Sequence, residues 1–440
     1  MEAGARCFGW LLPSHRTPVN WFTPVSLFIF AVREHPLGPL LAHEQRLLPP
    51  PPLPPTLPPM RVLFVTQDFP PDRGGIQTYS WEVAHRLSDQ VEALEVVAPR
   101  RPGVASVDRA APFSVTRLPG RPALLPLALL PVLPVRARAL DANVAVHAQW
   151  QTVGASVLSR ALFGRPRRIA CAAHGRELLF NPAPPASGLD AEYDRLRQFL
   201  LRQVDTFLPV SHYTAGVLRD RGVPERRMRV VPGGADPEHF RPYDVASTRG
   251  LQFPPDSPLL LTVGRLVPHK GIDTVLRSLP ALAEQCPDVA YAVVGTGPDR
   301  DRLEALANDL GVRDRVQFAG AVNHDRLPLY YSAATLFAMP ARTAPPDVEG
   351  FGLVFLEANA CGTPVIGARA GGVPDAVRDG ETGLLVPPDA PDALAEAALG
   401  LLTSPERVAA LGQQGRRRVL EKAHWGRTAD RIYTVLAASA

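Results

Sequence analysis

Cysteine is scarce in this chain: four residues in 440, Cys7, Cys171, Cys286 and Cys361, with no C-x-x-C spacing and no histidine cluster beside them. Such scatter indicates neither a disulfide framework nor a zinc site, and it fits a reducing, cytoplasmic setting. Charge of one sign is lacking as well. A formal net charge of +4 falls short of the dense basic stripe of a nucleic-acid binder, so nucleic acid is not an expected partner. Near the start the apolar stretch Trp21 to Val32 carries Pro24 and stays well under the roughly 20 residues that a membrane-spanning helix needs. Arg6 and Arg16 ahead of it imitate a signal peptide, but no small-residue cleavage site comes after it.

Proline takes its place. The tract Pro49 to Pro59 suits only polyproline II or disorder, and Met60-Arg61-Val62-Leu63-Phe64-Val65-Thr66 then reads as a buried first strand. Residues 1–59 are therefore expected to be a disordered extension, consistent with a start site at Met60. With 46% hydrophobic residues, the length allows two domains or more.

After Met60 short β-branched runs alternate with longer helical stretches, the pattern of βαβ units and a parallel sheet. Strands are expected at Val62–Thr66, Leu94–Ala98, Ser114–Leu118, Val144–His147, Arg168–Ala172, Thr206–Val210 and Arg229–Val231. Glycine and proline then break the pattern from Pro232 to Pro258, with a linker at 241–256. A second series starts at Leu259–Val263 and runs through Val289–Val294, Val316–Phe318, Leu336–Met339, Pro364–Gly367 and Gly383–Val386. Two doubly wound α/β domains, 60–240 and 257–422, should face a shared cleft at the carboxyl ends of their strands, and 423–440 should pack back on the first.

Several segments at those strand ends carry chemistry. Gly74-Gly75 precedes a helical pattern, where glycine lets backbone approach a diphosphate and leaves N–H groups free to bond it. Arg265 and Lys270 share one strand-to-helix loop, so a guanidinium and an ammonium can converge on a diphosphate and neutralise a leaving group. His174 lies just past a predicted strand, where an imidazole can bond a sugar hydroxyl or move a proton. Val231-Pro232-Gly233-Gly234-Ala235-Asp236 reads first as a hinge. Asp299-Arg300-Asp301 is formally D-x-D, but it stands where a helix should begin and acids favour the dipole, so no metal is assigned.

The most informative segment is Glu349-Gly350-Phe351-Gly352-Leu353-Val354-Phe355-Leu356-Glu357, two carboxylates flanking a glycine-aromatic-glycine loop that opens onto an apolar helix. A helix starting near Gly352 offers free N–H groups to a phosphate, with Glu349 at the mouth of the site and Glu357 about a turn and a half in, at roughly 3.6 residues per turn.

In this order the segments resemble retaining glycosyltransferase family 4, whose members adopt the GT-B architecture of two facing Rossmann-like domains. The resemblance rests on Gly264-Arg265-Leu266 with Lys270-Gly271, on Val294-Gly295-Thr296-Gly297-Pro298, and on Glu349 through Glu357. Asp68-Phe69-Pro70-Pro71 before Gly74-Gly75-Ile76-Gln77 looks like bacterial mannosyltransferases that use GDP-mannose to build phosphatidylinositol mannosides. The resemblance implies hexose transfer from a nucleotide diphosphate sugar, GDP-mannose before UDP-glucose, to a lipid-linked, saccharide or small-molecule acceptor, without metal or cofactor. It implies that Arg265 and Lys270 grip the diphosphate and that Gly74 and Gly75 close over it. Glu349 would contact the sugar and Glu357 the ribose; Gly350, Phe351, Gly352 and Leu353 would help hold sugar or phosphate, and His174 would touch the sugar near its reacting centre. Where the family usually has an acid near Lys270, this chain has Pro268-His269.

The apolar, proline-broken run Ala123 to Val135, flanked by Arg117, Arg121, Arg136 and Arg138, suits either an anionic membrane surface or a core helix with solvated arginines at its ends. Through 117–138 the enzyme would touch the inner face of the membrane peripherally. Two other readings compete. An NAD-dependent oxidoreductase would use Gly295-Thr296-Gly297, but Arg300 stands where the third glycine of G-x-G-x-x-G belongs. A catalytically silent scaffold has no need of Arg265, Lys270, Glu349 and Glu357 together.

Overall fold

The computed structural model describes residues 59–179, 189–244, 254 and 257–438. The predicted extension, apart from Pro59, and most of the linker lie outside the described residues. The first series of strands is β1 (Arg61–Val65), β2 (Ala93–Pro99), β3 (Ser114–Leu118), β4 (Val144–His147), β5 (Arg168–Ala173) and β6 (Thr206–Pro209). The second is β7 (Leu259–Val263), β8 (Ala290–Val294), β9 (Val316–Gly320), β10 (Leu336–Met339), β11 (Val365–Ala368) and β12 (Gly383–Val386).

Each series forms one six-stranded parallel sheet, in the orders β3-β2-β1-β4-β5-β6 and β12-β11-β10-β7-β8-β9. Counted from its own first strand, the second sheet repeats the order of the first, so each reverses direction beside its first strand, between β1 and β4 and between β7 and β10. That reversal opens a crevice at the carboxyl ends of the strands. Central strands such as Val62-Leu63-Phe64-Val65 are wholly buried, because helices cover both faces of a parallel sheet.

Both sheets fall in one compact unit; the other contributes, among the described residues, only the start of a helix, Leu189–Gln203. Among the described residues, no helix is long and apolar enough to cross a membrane.

The segment Arg229–Val231 is not a strand. It runs beside β6 with two backbone hydrogen bonds, Arg229 N–H to Phe207 O at 3.0 Å and Val231 N–H to Pro209 O at 2.9 Å. Pro232, lacking an N–H, cannot extend the ladder. Past it, the chain meets the final helix, Trp425–Ala438, which buries Trp425, Ala429, Ile432 and Leu436 on one face and packs against the helix Gly75–Ser88. Thr428 Oγ1 donates to Pro232 O at 2.9 Å.

Gly234 permits this junction: a Cβ there would sit 2.5 Å from the backbone of His424 and Trp425. Gly234→Ala should therefore destabilise the protein by about 1–3 kcal/mol. Gly216, inside the helix His212–Asp220 with open space around it, offers the contrast, and Gly216→Ala should stabilise by about 0.5–1 kcal/mol. Thermal melts of the two variants should shift in opposite directions.

Candidate active site

Every residue singled out at a strand end lies past the carboxyl end of a strand. Gly74 and Gly75 come after β1 and open the helix Gly75–Ser88, exposed, with the Gly74 carbonyl accepting from Thr78 N–H at 2.9 Å. Arg265 and Lys270 lie on the loop between β7 and the helix Ile272–Gln285. The span Glu349 to Gly352 comes after β10 and leads into the helix Leu353–Ala360, whose N-cap, Gly352, has a left-handed φ of 94°. His174 stands just beyond β5.

The loops from the two sheets touch. A Cβ on Gly350 would lie 1.9 Å from the carbonyl oxygen of His174, so only glycine allows the β10 loop to reach the β5 loop. Arg176 Nε donates to Asp347 Oδ1 at 2.7 Å, and His212 Nδ1 meets Asp375 Oδ1 at 2.5 Å across the same seam.

Lys270 Nζ donates to Glu349 Oε2, forming a salt bridge with side-chain exposures of 18% and 13%. The two residues expected on diphosphate and sugar therefore neutralise each other. Arg265 is exposed, and among the described residues it has no acidic partner. Burial pulls the His269 imidazole below its ordinary pKa, helped by the positive charge of Lys270 and more weakly of Arg265, with Glu349 and Asp347 acting oppositely. Both cations and both acids thus act on one spot.

His174 has its pKa pulled down to about 4 by burial, against an opposing hydrogen bond with the Ala148 backbone. Its Nε2 is buried with no hydrogen-bond partner among the described residues, and the Ala148 backbone lies against the ring. With the ring neutral and its proton on Nδ1, Nε2 would be an acceptor, suited to a hydroxyl proton rather than to a developing negative charge. Tyr79 braces the ring edge-on, centroids 4.8 Å apart. Below it, Glu177 Oε1 accepts from the His174 N–H at 2.6 Å and the Gly175 N–H at 3.3 Å.

Glu357 is half-buried, and burial pushes its pKa up to about 7, with a hydrogen bond from Tyr331 working the other way. Tyr331 Oη donates to Glu357 Oε2 at 2.7 Å. Leu353, expected among the substrate contacts, lies against the junction, since its Cδ2 is 2.6 Å from where a Gly233 Cβ would stand. Its N–H, one of the free first-turn donors, is the part left for a ligand.

The glycines of Gly295-Thr296-Gly297 serve backbone packing. Leu266 N–H donates to Thr296 O at 3.0 Å, and a Gly297 Cβ would lie 2.1 Å from Leu266 O. Asp299 is held by Arg302 in a two-pronged bond of 2.6 and 2.7 Å. Sequence reasoning gave no site role to Tyr331, nor to Asp68, which it cited only within the Asp68-Phe69-Pro70-Pro71 resemblance; burial raises the Asp68 pKa, and its carboxylate accepts from Gln77 Nε2 at 2.7 Å and from Gln149 Nε2. The partners that fix them, Gln77 and Gln149 for Asp68 and Glu357 for Tyr331, lie 9, 81 and 26 residues away, and no local pattern reports such pairings.

Along 117–138 the helix Leu125–Ala139 buries Leu125, Leu129, Leu133 and Ala137 and leaves Leu127 66% and Val135 63% exposed. The neighbouring helix Val153–Phe163 adds exposed Leu162 and Phe163. The flanking arginines are not all solvated. Arg117 is buried on Asp108 at 2.8 Å and Arg136 grips Glu95 at 2.6 and 2.8 Å, which leaves Arg121 and Arg138 exposed.

Residues 246–418 match the family described as Glycosyl transferases group 1, and residues 73–239 match Glycosyltransferase Family 4. A GDP-mannose-dependent alpha-(1-6)-phosphatidylinositol monomannoside mannosyltransferase of Mycobacterium tuberculosis is 36% identical over 387 residues, covering 84% of this chain and 97% of the relative. A monoacylated-lipid counterpart from Corynebacterium glutamicum is 31% identical, covering 86% and 97%. In fold, the chain is similar to the Anabaena protein HepE in complex with UDP, with a TM-score of 0.72 at 19% identity, covering 86% of this chain and 100% of that one. The architecture is GT-B.

The environment of His174 makes a direct prediction. With its pKa depressed to about 4 by burial, the ring should stay neutral from pH 8 down to pH 5 and protonate only near pH 4. Histidine-labelled NMR, assigned with His174→Gln, should show that one resonance flat where exposed imidazoles titrate.

Proposed function

Because this chain belongs to glycosyltransferase family 4 and is a glycosyltransferase, we propose that it transfers mannose from GDP-mannose, with retention of configuration, to a lipid-linked acceptor of the mannosylated phosphatidylinositol type. The observation that carries this reading is the 36% identity to a GDP-mannose-dependent phosphatidylinositol monomannoside mannosyltransferase over 97% of that relative's length.

The geometry supports the following mechanism. A donor diphosphate entering beside Lys270 competes with Glu349 for the ammonium, and its greater charge wins the exchange. Lys270 and Arg265 then hold the diphosphate, while first-turn N–H groups of the helix Leu353–Ala360 add the positive end of its dipole. The displaced Glu349 carboxylate becomes an acceptor for sugar hydroxyls, and His174 Nε2 accepts from another. The acceptor oxygen bonds to the anomeric carbon on the face from which the diphosphate departs. As the bond between that carbon and the phosphate oxygen breaks, the acceptor proton passes to the leaving phosphate. Glu349 and Glu357 act as positioners, and the cations stabilise the departing charge. No step requires a metal or cofactor.

The exposed apolar side chains of 124–135 and 162–163, with Arg121 and Arg138 beside them, would rest on an anionic membrane where a lipid acceptor resides. Flotation with phosphatidylinositol-containing vesicles should carry wild type upward and leave Leu127→Glu/Leu162→Glu behind. Equal, salt-insensitive failure of both to float would remove the membrane contact.

Nucleotide release from a panel of GDP- and UDP-sugars should be greatest with GDP-mannose; preference for a UDP-sugar would overturn the donor assignment. Lys270→Ala should weaken GDP binding about 10–100-fold, as expected for a lost charge-assisted bond. Glu349→Gln should slow transfer while leaving GDP binding unchanged or tighter, since it removes the competitor for Lys270.

A further inference from the structure

Tyr331 lies outside every sequence motif of the two domains, in the short helix Leu327–Ala333, and is wholly buried. Among the described residues its hydroxyl has one polar partner, Glu357 Oε2 at 2.7 Å, reached across 26 residues from a different helix. The ring cannot swing away. It packs against Phe240 with centroids 5.8 Å apart and against Phe337 at 5.7 Å, and its carbonyl accepts from Thr363 Oγ1 at 2.6 Å. Among the described residues, the second oxygen of Glu357 makes no hydrogen bond.

We propose that Tyr331 is a positioning residue for the nucleotide ribose: by donating to one oxygen of Glu357 it fixes the carboxylate plane and presents the other oxygen to the ribose hydroxyls. The inference rests on the assignment of Glu357 to the ribose. A carboxylate on a long side chain samples several rotamers, and each one frozen before binding is entropy that the ligand need not supply. Tyr331 anchors the end of that side chain, while the helix Leu353–Ala360 anchors its start. The hydroxyl also satisfies one lone pair that desolvation would otherwise leave bare. No bond to substrate is assigned to Tyr331 itself; its effect passes through Glu357.

Calorimetric titration with GDP and with 2′,3′-dideoxy-GDP tests this in wild type, Tyr331→Phe and Glu357→Gln. The Phe variant keeps the ring contacts and removes only the O–H, and its melting temperature verifies the fold. Wild type should prefer GDP over the dideoxy nucleotide by about tenfold, the scale of a hydrogen bond to a charged group. In Tyr331→Phe the preference should shrink to about two- to threefold, with donor KM raised and kcat nearly unchanged, since diphosphate and sugar contacts remain. A folded Tyr331→Phe that keeps the full preference, while Glu357→Gln loses it, overturns the Tyr331 assignment alone. If Glu357→Gln also keeps it, the ribose role of Glu357 falls, and the positioning role falls with it. Absence of GDP binding in wild type would overturn the donor reading beneath both.

Discussion

No side chain fits at residue 350. The carbonyl of His174 occupies the space where a Cβ would be, and that close approach ties the loop beyond β10 to the loop beyond β5. Each sheet has its own hydrogen-bonded order, but the site belongs to neither alone. With the loops in contact, His174 comes to rest beside Gly350, next to the Lys270–Glu349 pair of the second sheet, and Arg176 and Asp347 close the seam. A methyl group at Gly350 would push these partners apart together, which is why a residue with no functional group governs the placement of several that have one.

The pair Lys270–Glu349 solves an electrostatic problem that two separate half-buried charges would pose. A half-buried ammonium with no counter-charge is costly, and so is a half-buried carboxylate. Held together, each offsets part of the other's desolvation, and the pair can be separated again by a ligand that brings more negative charge than Glu349 does. Arg265 needs no such guard, because it is exposed to water. The site is thus close to neutral where it is most enclosed and positive at its rim.

Much of this was legible in the chain and some was not, for identifiable reasons. Val62-Leu63-Phe64-Val65 reads as a continuous apolar run because both faces of a central parallel strand are covered. The loop residues past β5, β7 and β10 were legible because their chemistry is local: cations, glycines and acids within a few positions of a strand end. Arg229–Val231 misled, since β-branched residues beside a sheet edge resemble a strand until Pro232 is seen to end the pairing. Arg117 and Arg136 looked like solvated flanks because their partners, Asp108 and Glu95, are distant or non-periodic in sequence. The pairing of Lys270 with Glu349 spans 79 residues and that of Tyr331 with Glu357 spans 26, and no spacing rule reports either.

Two sheets of identical strand order carry different charged groups at their strand ends. Beyond the first strand of the first sheet stands Asp68, held by Gln77 and Gln149, with Glu177 buried under His174. Beyond the first strand of the second stand Arg265 and Lys270. A diphosphate placed against the first set would meet carboxylates whose pKa is already raised by burial; against the second it meets cations and the amino end of a helix. Groups rich in hydroxyls suit the first set, whose carboxylate, amide and neutral imidazole accept and donate without net positive charge. The topology is shared, so only the residues at the strand ends can divide the labour: the second sheet suits a charged diphosphate, and the first suits hydroxyl-bearing groups.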